Sequence, residues 1–151
     1  MPKFKTGDIW TSLEDTDWLV ITTNSYIKKD GTLVMGAGIA KQASDKYPII
    51  KKIFGNDITS SCGHLGKYHI LYWKKIIGLQ TKIHFKDKSD MELIKESINR
   101  LQIFVNKHPS RPIVNMVFPG IGYGGLDQKD VYEHCLKDLP NNYTIWTKAL
   151  T

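Results

Sequence analysis

Apolar runs that predict strands alternate along this chain with apolar stripes that predict helices. Two runs of apolar and β-branched residues, at 18–23 and 113–118, show no polar alternation, which is typical of strands buried on both faces. Two further runs on either side of Lys74-Lys75 predict a hairpin. With shorter extended segments near the termini, the pattern predicts six strands, at residues 3–5, 18–23, 67–73, 76–80, 113–118 and 143–147.

The stripes between these strands predict four helices. The clearest helix follows Ser89-x-x-Glu92, which matches a capping box. Its apolar positions recur at helical spacing, at Met91, Ile94, Ile98, Leu101 and Val105. Pro48 suits the first turn of another helix, and we expect a loop over residues 55–66. The predicted helices cover residues 38–46, 48–54, 91–105 and 127–139.

Strands that alternate with helices predict an α/β domain, and the hairpin makes its central sheet mixed. The length of 151 residues suits a single domain over residues 1–151. The chain has 21 Lys and Arg against 15 Asp and Glu, a net charge of +6, which favours phosphate-bearing or polyanionic partners. Because the charges are scattered in pairs, a solvated surface is the alternative interpretation.

Cysteine usage and hydropathy narrow the setting in which we expect the protein to act. Cys62 and Cys135 lie far apart and form no disulfide framework, which favours a reducing compartment. Cys62 and His64 alone do not make a metal site. The first residues contain no apolar leader segment, and no apolar stretch is long enough to cross a membrane. We therefore expect a cytoplasmic monomer without membrane contact and without a metal.

Two glycine-rich loops stand where a predicted strand gives way to a predicted helix. The first covers residues 34–42 (VMGAGIAKQ) and the second covers residues 118–126 (FPGIGYGGL). Glycines let backbone N–H groups approach a ligand closely, and a helix N-terminus adds a positive dipole. Two such loops predict a site that grips a diphosphate from two sides. The alternative is a pair of tight turns without a ligand.

Several motifs, in this order, resemble the macrodomain family, whose α/β/α fold binds ADP-ribose. They are Gly7-Asp8-Ile9, Asn24, residues 35–40 (MGAGIA) and residues 119–126 (PGIGYGGL). The resemblance spans nearly the whole chain and implies a three-layer α/β/α sandwich with a mixed central sheet. MGAGIA and residues 81–85 (TKIHF) further resemble the branch that contains the terminal ADP-ribose protein glycohydrolase and the DNA ADP-ribose antitoxin DarG.

The resemblance implies a substrate-binding role for residues along the whole cleft of such a fold. Asp8, beside Ile9, would accept a hydrogen bond from the adenine amino group. Trp146 would lie against adenine, although a core tryptophan is the alternative. The two loops would hold the diphosphate and the distal ribose through their backbone N–H groups, at Met35, Gly36, Ala37, Gly38, Ile39, Pro119, Gly120, Ile121, Gly122, Tyr123 and Gly124.

Lys82 is the main catalytic candidate that the resemblance implies. In this branch a lysine at the matching position acts on the anomeric carbon of the distal ribose, and in the protein glycohydrolase it forms a covalent sugar adduct. That chemistry needs a neutral amine, so we expect partial burial, with Lys86 and Lys88 nearby, to lower the pKa of Lys82. Asn24 is a second candidate, because ligands collect beyond the carboxyl ends of strands; a turn-stabilising asparagine is the alternative.

The chain departs from the protein glycohydrolase at the second glycine loop. The relative has an acidic residue there that helps to release the lysine adduct, whereas this chain has Gly124-Gly125-Leu126. The nearest acids are Asp127 and Asp130, and Asp127 is therefore the third catalytic candidate. If neither acid reaches the ribose, Lys82 acts only as a positive charge near the leaving group.

These residues predict an ADP-ribosyl glycohydrolase that needs no cofactor and removes ADP-ribose from a macromolecule. The net charge and the glycine-rich second loop favour ADP-ribosylated DNA, with the sugar on a nucleic-acid base, over an acidic protein side chain. The first alternative is a module that binds or sequesters ADP-ribose or a related nucleotide without chemistry. The second is a phosphatase that acts on terminally phosphorylated ADP-ribose, for which His84 is the candidate base.

Overall fold

The computed structural model describes residues 1–148, and six strands in them form one sheet. The strands are β1 Lys3–Thr6, β2 Trp18–Thr23, β3 Ile70–Trp73, β4 Ile76–Gln80, β5 Val114–Val117 and β6 Tyr143–Thr147. Their order is β1-β6-β5-β2-β4-β3. β3 pairs with β4 in antiparallel fashion, and the other pairs are parallel. The predicted mixed sheet is therefore confirmed, including its hairpin.

Helices cover both faces of the sheet. They are α1 Gly38–Lys46, α2 Ile50–Ser61, α3 Met91–Asn106 and α4 Gln128–Val131, which continues as a π-helical turn over Tyr132–Leu136. α1 and α2 pack on the face that Leu19 and Ile21 of β2 reach. α3 and α4 pack on the face that Val20 reaches. The strand alternation thus builds the expected three-layer α/β/α sandwich.

The second helix is longer than the sequence predicts. It runs to Ser61, so the loop expected over residues 55–66 is wrong for its first half. Phe54 and Ile58 are both fully buried on one helix face, and that burial continues the helix. Gly55 suggested a loop because glycine is a weak helix former. Instead, Gly55 allows the helix backbone to lie close to Gly31, because a Cβ at Gly55 would clash with the carbonyl oxygen of Gly31.

Two helix starts also differ from the prediction. α3 begins after Asp90, whose side chain accepts hydrogen bonds from the N–H groups of Glu92 and Leu93, so Ser89 is not the N-cap. The predicted helix over residues 127–139 is a single α-helical turn followed by a π-helical one. Ser89 and Asp90 are both good capping residues, and the sequence alone does not show which of them the helix uses.

The parallel part of the sheet determines where a ligand can bind. β1, β6, β5, β2 and β4 all point the same way. The carboxyl ends of these five strands therefore meet at one edge of the sheet, where ligands of open α/β sheets bind. Among residues 1–148 no helix is long and apolar enough to cross a membrane.

Candidate functional site

A cleft of about 1370 Å³ opens at the carboxyl edge of the parallel strands. Ligand pockets for small molecules commonly have a volume of about 300–1,000 Å³, so this cleft has room for an extended nucleotide. All predicted substrate-binding residues except Pro119 line it, as do Asn24 and Lys82. Residues 1–148 contain one further predicted site residue that does not line it, Asp127.

The first glycine loop presents an open helix N-terminus to the cleft. Ala37 is the N-cap of α1 and has no side-chain oxygen to accept a hydrogen bond. The first N–H groups of a helix have no partner within the helix, so those of Gly38 and Ile39 suit an anion in the cleft. Asn24 fixes this loop to the end of β2, because its Nδ2 donates to the carbonyl oxygen of Val34 at 2.9 Å and its Oδ1 accepts from the N–H of Tyr26 at 2.9 Å.

The second glycine loop packs so tightly that it excludes side chains at two positions. A Cβ at Gly120 would lie 2.6 Å from Cδ1 of Ile94, and φ at Gly120 is +80°. A Cβ at Gly124 would clash with Oγ of Ser89. The ring of Tyr123, which is 81% exposed, comes within 3.9 Å of the position that a Cβ at Gly38 would take. The two glycine loops therefore face each other across the cleft, as the sequence predicts.

Asp8 and Trp146 form the end of the cleft beside β1 and β6. Oδ1 of Asp8 accepts a hydrogen bond from the N–H of Trp10 at 3.0 Å, and no group among residues 1–148 donates to the other carboxylate oxygen, which can therefore accept from a ligand. Trp146 is buried in the core on the α1 and α2 face, and its Nε1 donates to Oδ1 of Asn115 at 2.8 Å. Trp146 is thus a core residue and a wall of the cleft at once.

Lys82 lies in the cleft at the end of β4 and is partly buried. Its Nζ donates to the carbonyl oxygen of Asp87 at 3.0 Å and lies 3.5 Å from that of Phe85. Burial lowers the pKa of Lys82, against the opposing charge of the Asp87 carboxylate. Burial was expected to act in this direction, but the expected contribution of Lys86 and Lys88 to the pKa is not found.

Asp127 caps a helix and does not line the cleft. Its Oδ1 accepts a hydrogen bond from the N–H of Asp130 at 3.1 Å and caps α4. The next residue, Gln128, lines the cleft instead. A catalytic role for Asp127 stays a prediction, and this hydrogen bond does not favour it. The acidic side chain beside Lys82 in the cleft is that of Asp87.

The sequence did not reveal Ser89 as a cleft residue. Ser89 is 6% exposed and lines the cleft. Its Oγ is buried and has no hydrogen-bond partner among residues 1–148, while its N–H donates to the carbonyl oxygen of Gly124 at 2.8 Å. Buried hydroxyl groups normally have a partner. The available signal was the adjacent pair of capping residues Ser89 and Asp90, of which only one can cap the helix.

Solved structures resemble this chain, although no family model and no curated protein matches its sequence. The macrodomain of Mycobacterium tuberculosis DarG is 25% identical, with a TM-score of 0.77 over 99% of each chain. The macrodomain of Thermus aquaticus DarG is 22% identical, with a TM-score of 0.76 over 99% of each chain. Thermosipho africanus DarTG in complex with ADP-ribose is 19% identical, with a TM-score of 0.69 over 98% of this chain and 42% of the other.

Proposed function

We propose that this chain, which has the macrodomain fold of these solved structures, binds ADP-ribose in its cleft and removes it from a macromolecule. One observation carries the proposal. Two glycine loops face each other across a single cleft, with Asp8 and Trp146 at one end and Lys82 at the other. The Thermosipho africanus structure, which contains ADP-ribose, supports this ligand.

The order of the strands gives the ligand a direction. Asp8 follows β1 and Lys82 follows β4, four strand spacings away in the sheet, which corresponds to about 19 Å. The glycine loops lie between these two ends. This arrangement suits a base beside Asp8, a diphosphate between the loops and the distal ribose beside Lys82.

Lys82 is suited to act on the anomeric carbon of that ribose. Burial lowers its pKa and so increases the share of neutral amine. In the reaction that we propose, the amine lone pair forms a bond to the anomeric carbon, and the bond to the leaving group breaks with its electron pair. Water then forms a bond to the anomeric carbon, and the bond from that carbon to the lysine nitrogen breaks with its electron pair, which restores the neutral amine. Asp87, beside Lys82 in the cleft, is placed to take the proton of that water.

A cluster of aromatic side chains and one lysine next to Lys82 favours a nucleic-acid base as the leaving group. The cluster consists of Tyr26, His84, Phe85 and Lys86. The ring of Tyr26 lies 4.8 Å from that of His84 and 5.0 Å from that of Phe85, and Nζ of Lys86 lies 5.8 Å from the Phe85 ring. Phe85 and Lys86 also line the cleft. Aromatic rings beside cations are what single-stranded nucleic acids bind.

The proposal is tested by following free ADP-ribose. The protein is incubated with an oligonucleotide ADP-ribosylated on thymine or guanine and, separately, with protein ADP-ribosylated on glutamate or serine. We expect release from the oligonucleotide by the wild type and none by Lys82→Ala. Release from the glutamate linkage only would reject the nucleic-acid preference. Equal release by wild type and Lys82→Ala would reject the role of the lysine.

Binding without chemistry is the second candidate function. It is favoured by the position of Asp127, which caps α4 and leaves the second glycine loop without an acid in the cleft. Calorimetry that shows ADP-ribose binding, with no release from either substrate, would select this function. The phosphatase alternative lacks support, because Nδ1 of His84 accepts from the N–H of Lys86 at 3.1 Å and its ring stacks on Phe85.

A further inference from the structure

Gln80, two residues before Lys82, has a buried side-chain amide. Gln80, the last residue of β4, is 0% exposed. Its Oε1 accepts hydrogen bonds from the N–H groups of Tyr68 at 2.9 Å and His69 at 3.1 Å. Its Nε2 donates to the carbonyl oxygens of Gly66 at 3.0 Å and Lys82 at 3.3 Å. A side-chain amide has two donors and two acceptor positions, so all of them are used.

The hydroxyl group of Tyr68 links the same segment to Asn24. It donates to the carbonyl oxygen of Asn24 at 2.7 Å and accepts from the hydroxyl of Thr23. Burial raises the pKa of Tyr68, so the hydroxyl keeps the proton that it donates. Thr23 pairs with Gln80 in the register of β2 and β4. Residues 66–69 therefore hold the ends of both strands together.

The backbone of this segment is strained. φ is +62° at Leu65 and +69° at His69, and side-chain-bearing residues rarely take such values. Strain of this kind persists where the surroundings hold it in place, and it clusters at functional sites. The N–H of Leu65 donates to the carbonyl oxygen of Ser25, and that of Gln80 to the carbonyl oxygen of His69, both at 2.8 Å.

The identity of residue 80 is hard to explain by core packing alone. Ile76, Ile77 and Leu79 make the rest of β4 apolar and buried. A buried amide destabilises a core unless its hydrogen bonds are made. Gln80 meets that condition only by binding residues 66–69 on one side and Lys82 on the other. Its bonds reach the backbone next to the cleft, but Gln80 does not line the cleft.

We propose that Gln80 and Tyr68 are positioning residues, which fix Lys82 relative to Asn24 through residues 66–69. The inference rests on the proposed function, because it assigns them to the reaction of Lys82. Loss of the bond from Gln80 to the Lys82 carbonyl frees the first turn of the loop after β4. The amine then leaves its partly buried place, and its distance from the ribose changes.

The test uses two variants and one matched control. Gln80→Met keeps the side-chain length and removes all four hydrogen bonds. Tyr68→Phe removes a single hydroxyl and preserves folding if Gln80→Met does not. Tyr143→Phe is the control, because its buried hydroxyl lies on β6 and has no partner among residues 1–148. The measurements are kcat and KM for release from ADP-ribosylated oligonucleotide, affinity for free ADP-ribose, and the pKa of Lys82 by NMR of reductively methylated protein.

We expect both variants to lower kcat, with Gln80→Met nearest the roughly hundredfold that a misplacement of 1 Å can cause. The affinity for ADP-ribose should change much less than kcat, because neither residue lines the cleft and the side chain of Asn24 keeps its own bonds to Val34 and Tyr26. The pKa of Lys82 rises towards the ordinary value of about 10.4 as the amine becomes exposed. Tyr143→Phe changes none of these quantities.

Unchanged kcat and unchanged Lys82 pKa in a folded variant would overturn the inference. A parallel loss of kcat, affinity and thermal stability would also overturn it, since that is the effect of a merely structural role. If the wild type releases no ADP-ribose, the proposed hydrolase function fails. The pKa of Lys82 in the variants still tests the positioning in that case, because it requires no turnover.

Discussion

The glycine loops and the loop after β4 line the same cleft, but they contribute different chemical groups to it. The glycine loops offer backbone N–H groups, and the second of them leaves no space for a side chain at Gly120 or Gly124. The loop over residues 81–88 offers the amine of Lys82, whose pKa is lowered by burial and whose backbone carbonyl accepts a hydrogen bond from Gln80. Binding and chemistry should therefore be separable by substitution, since they rest on different atoms.

The largest expected effect is on catalysis alone. Lys82→Ala removes the amine and should lower turnover at least about hundredfold, the lower end of what one positioned catalytic group contributes. Lys88→Ala removes the same charge from an exposed place in the same loop and should leave turnover near that of the wild type. Equal losses in both variants would show that the loop contributes only its general positive charge.

A substitution in the second glycine loop should instead affect stability and ADP-ribose binding. Gly124→Ala places a methyl group against Oγ of Ser89, and overpacking of this kind destabilises a protein by about 1–3 kcal/mol. We expect a lower Tm and weaker ADP-ribose binding. Gly36→Ala is the matched control for stability, because a Cβ there meets nothing within 4 Å. A normal Tm and normal affinity in Gly124→Ala would contradict the account of this loop.

The pH dependence of turnover should follow the protonation state of the Lys82 amine. The neutral amine is the reactive form, so the rate rises with pH and levels off above the pKa of Lys82. Because burial lowers that pKa, the plateau is reached below the value of about 10.4 for an ordinary lysine. A pH profile of kcat checks this. A rate that falls as pH rises through this range would show that a protonated lysine is required instead.

The smallest expected effect distinguishes the role of the Asp127 carboxylate from that of Asp87. Asp127→Ala removes the N-cap of α4, and the loss of a cap costs about 1 kcal/mol of stability, but turnover should persist because Asp127 does not line the cleft. Asp87→Asn should lower turnover with little change in Tm. The reverse pattern, in which only Asp127→Ala loses turnover, would show that the catalytic carboxylate is that of Asp127, next to the second glycine loop.

The sequence was informative where local pattern determines structure. Doubly buried strands are visible as apolar runs, so β2 and β5 could be predicted, and with them the positions of Asn24 and of the second glycine loop. It was less informative where two local interpretations compete. Gly55 suggested a loop but allows a close approach of Gly31, and Ser89 suggested a cap but lies in the cleft.

The bonds behind the cleft could not be predicted, because they join residues that only the fold brings together. Gln80 reaches back to residues 66–69 and forward to Lys82, and Tyr68 reaches across to Asn24. No periodicity or motif links these positions. A glutamine that ends an apolar strand was the one available signal, and it gains meaning only when its four partners are known.

The most direct test of the separation between binding and chemistry is a calorimetric titration of ADP-ribose into three proteins. They are the wild type, Lys82→Ala and Gly124→Ala. We predict that the first two bind with equal affinity and that the third binds more weakly. Absence of binding by the wild type, or loss of binding in Lys82→Ala with Gly124→Ala unaffected, would contradict the assignment of binding to the glycine loops.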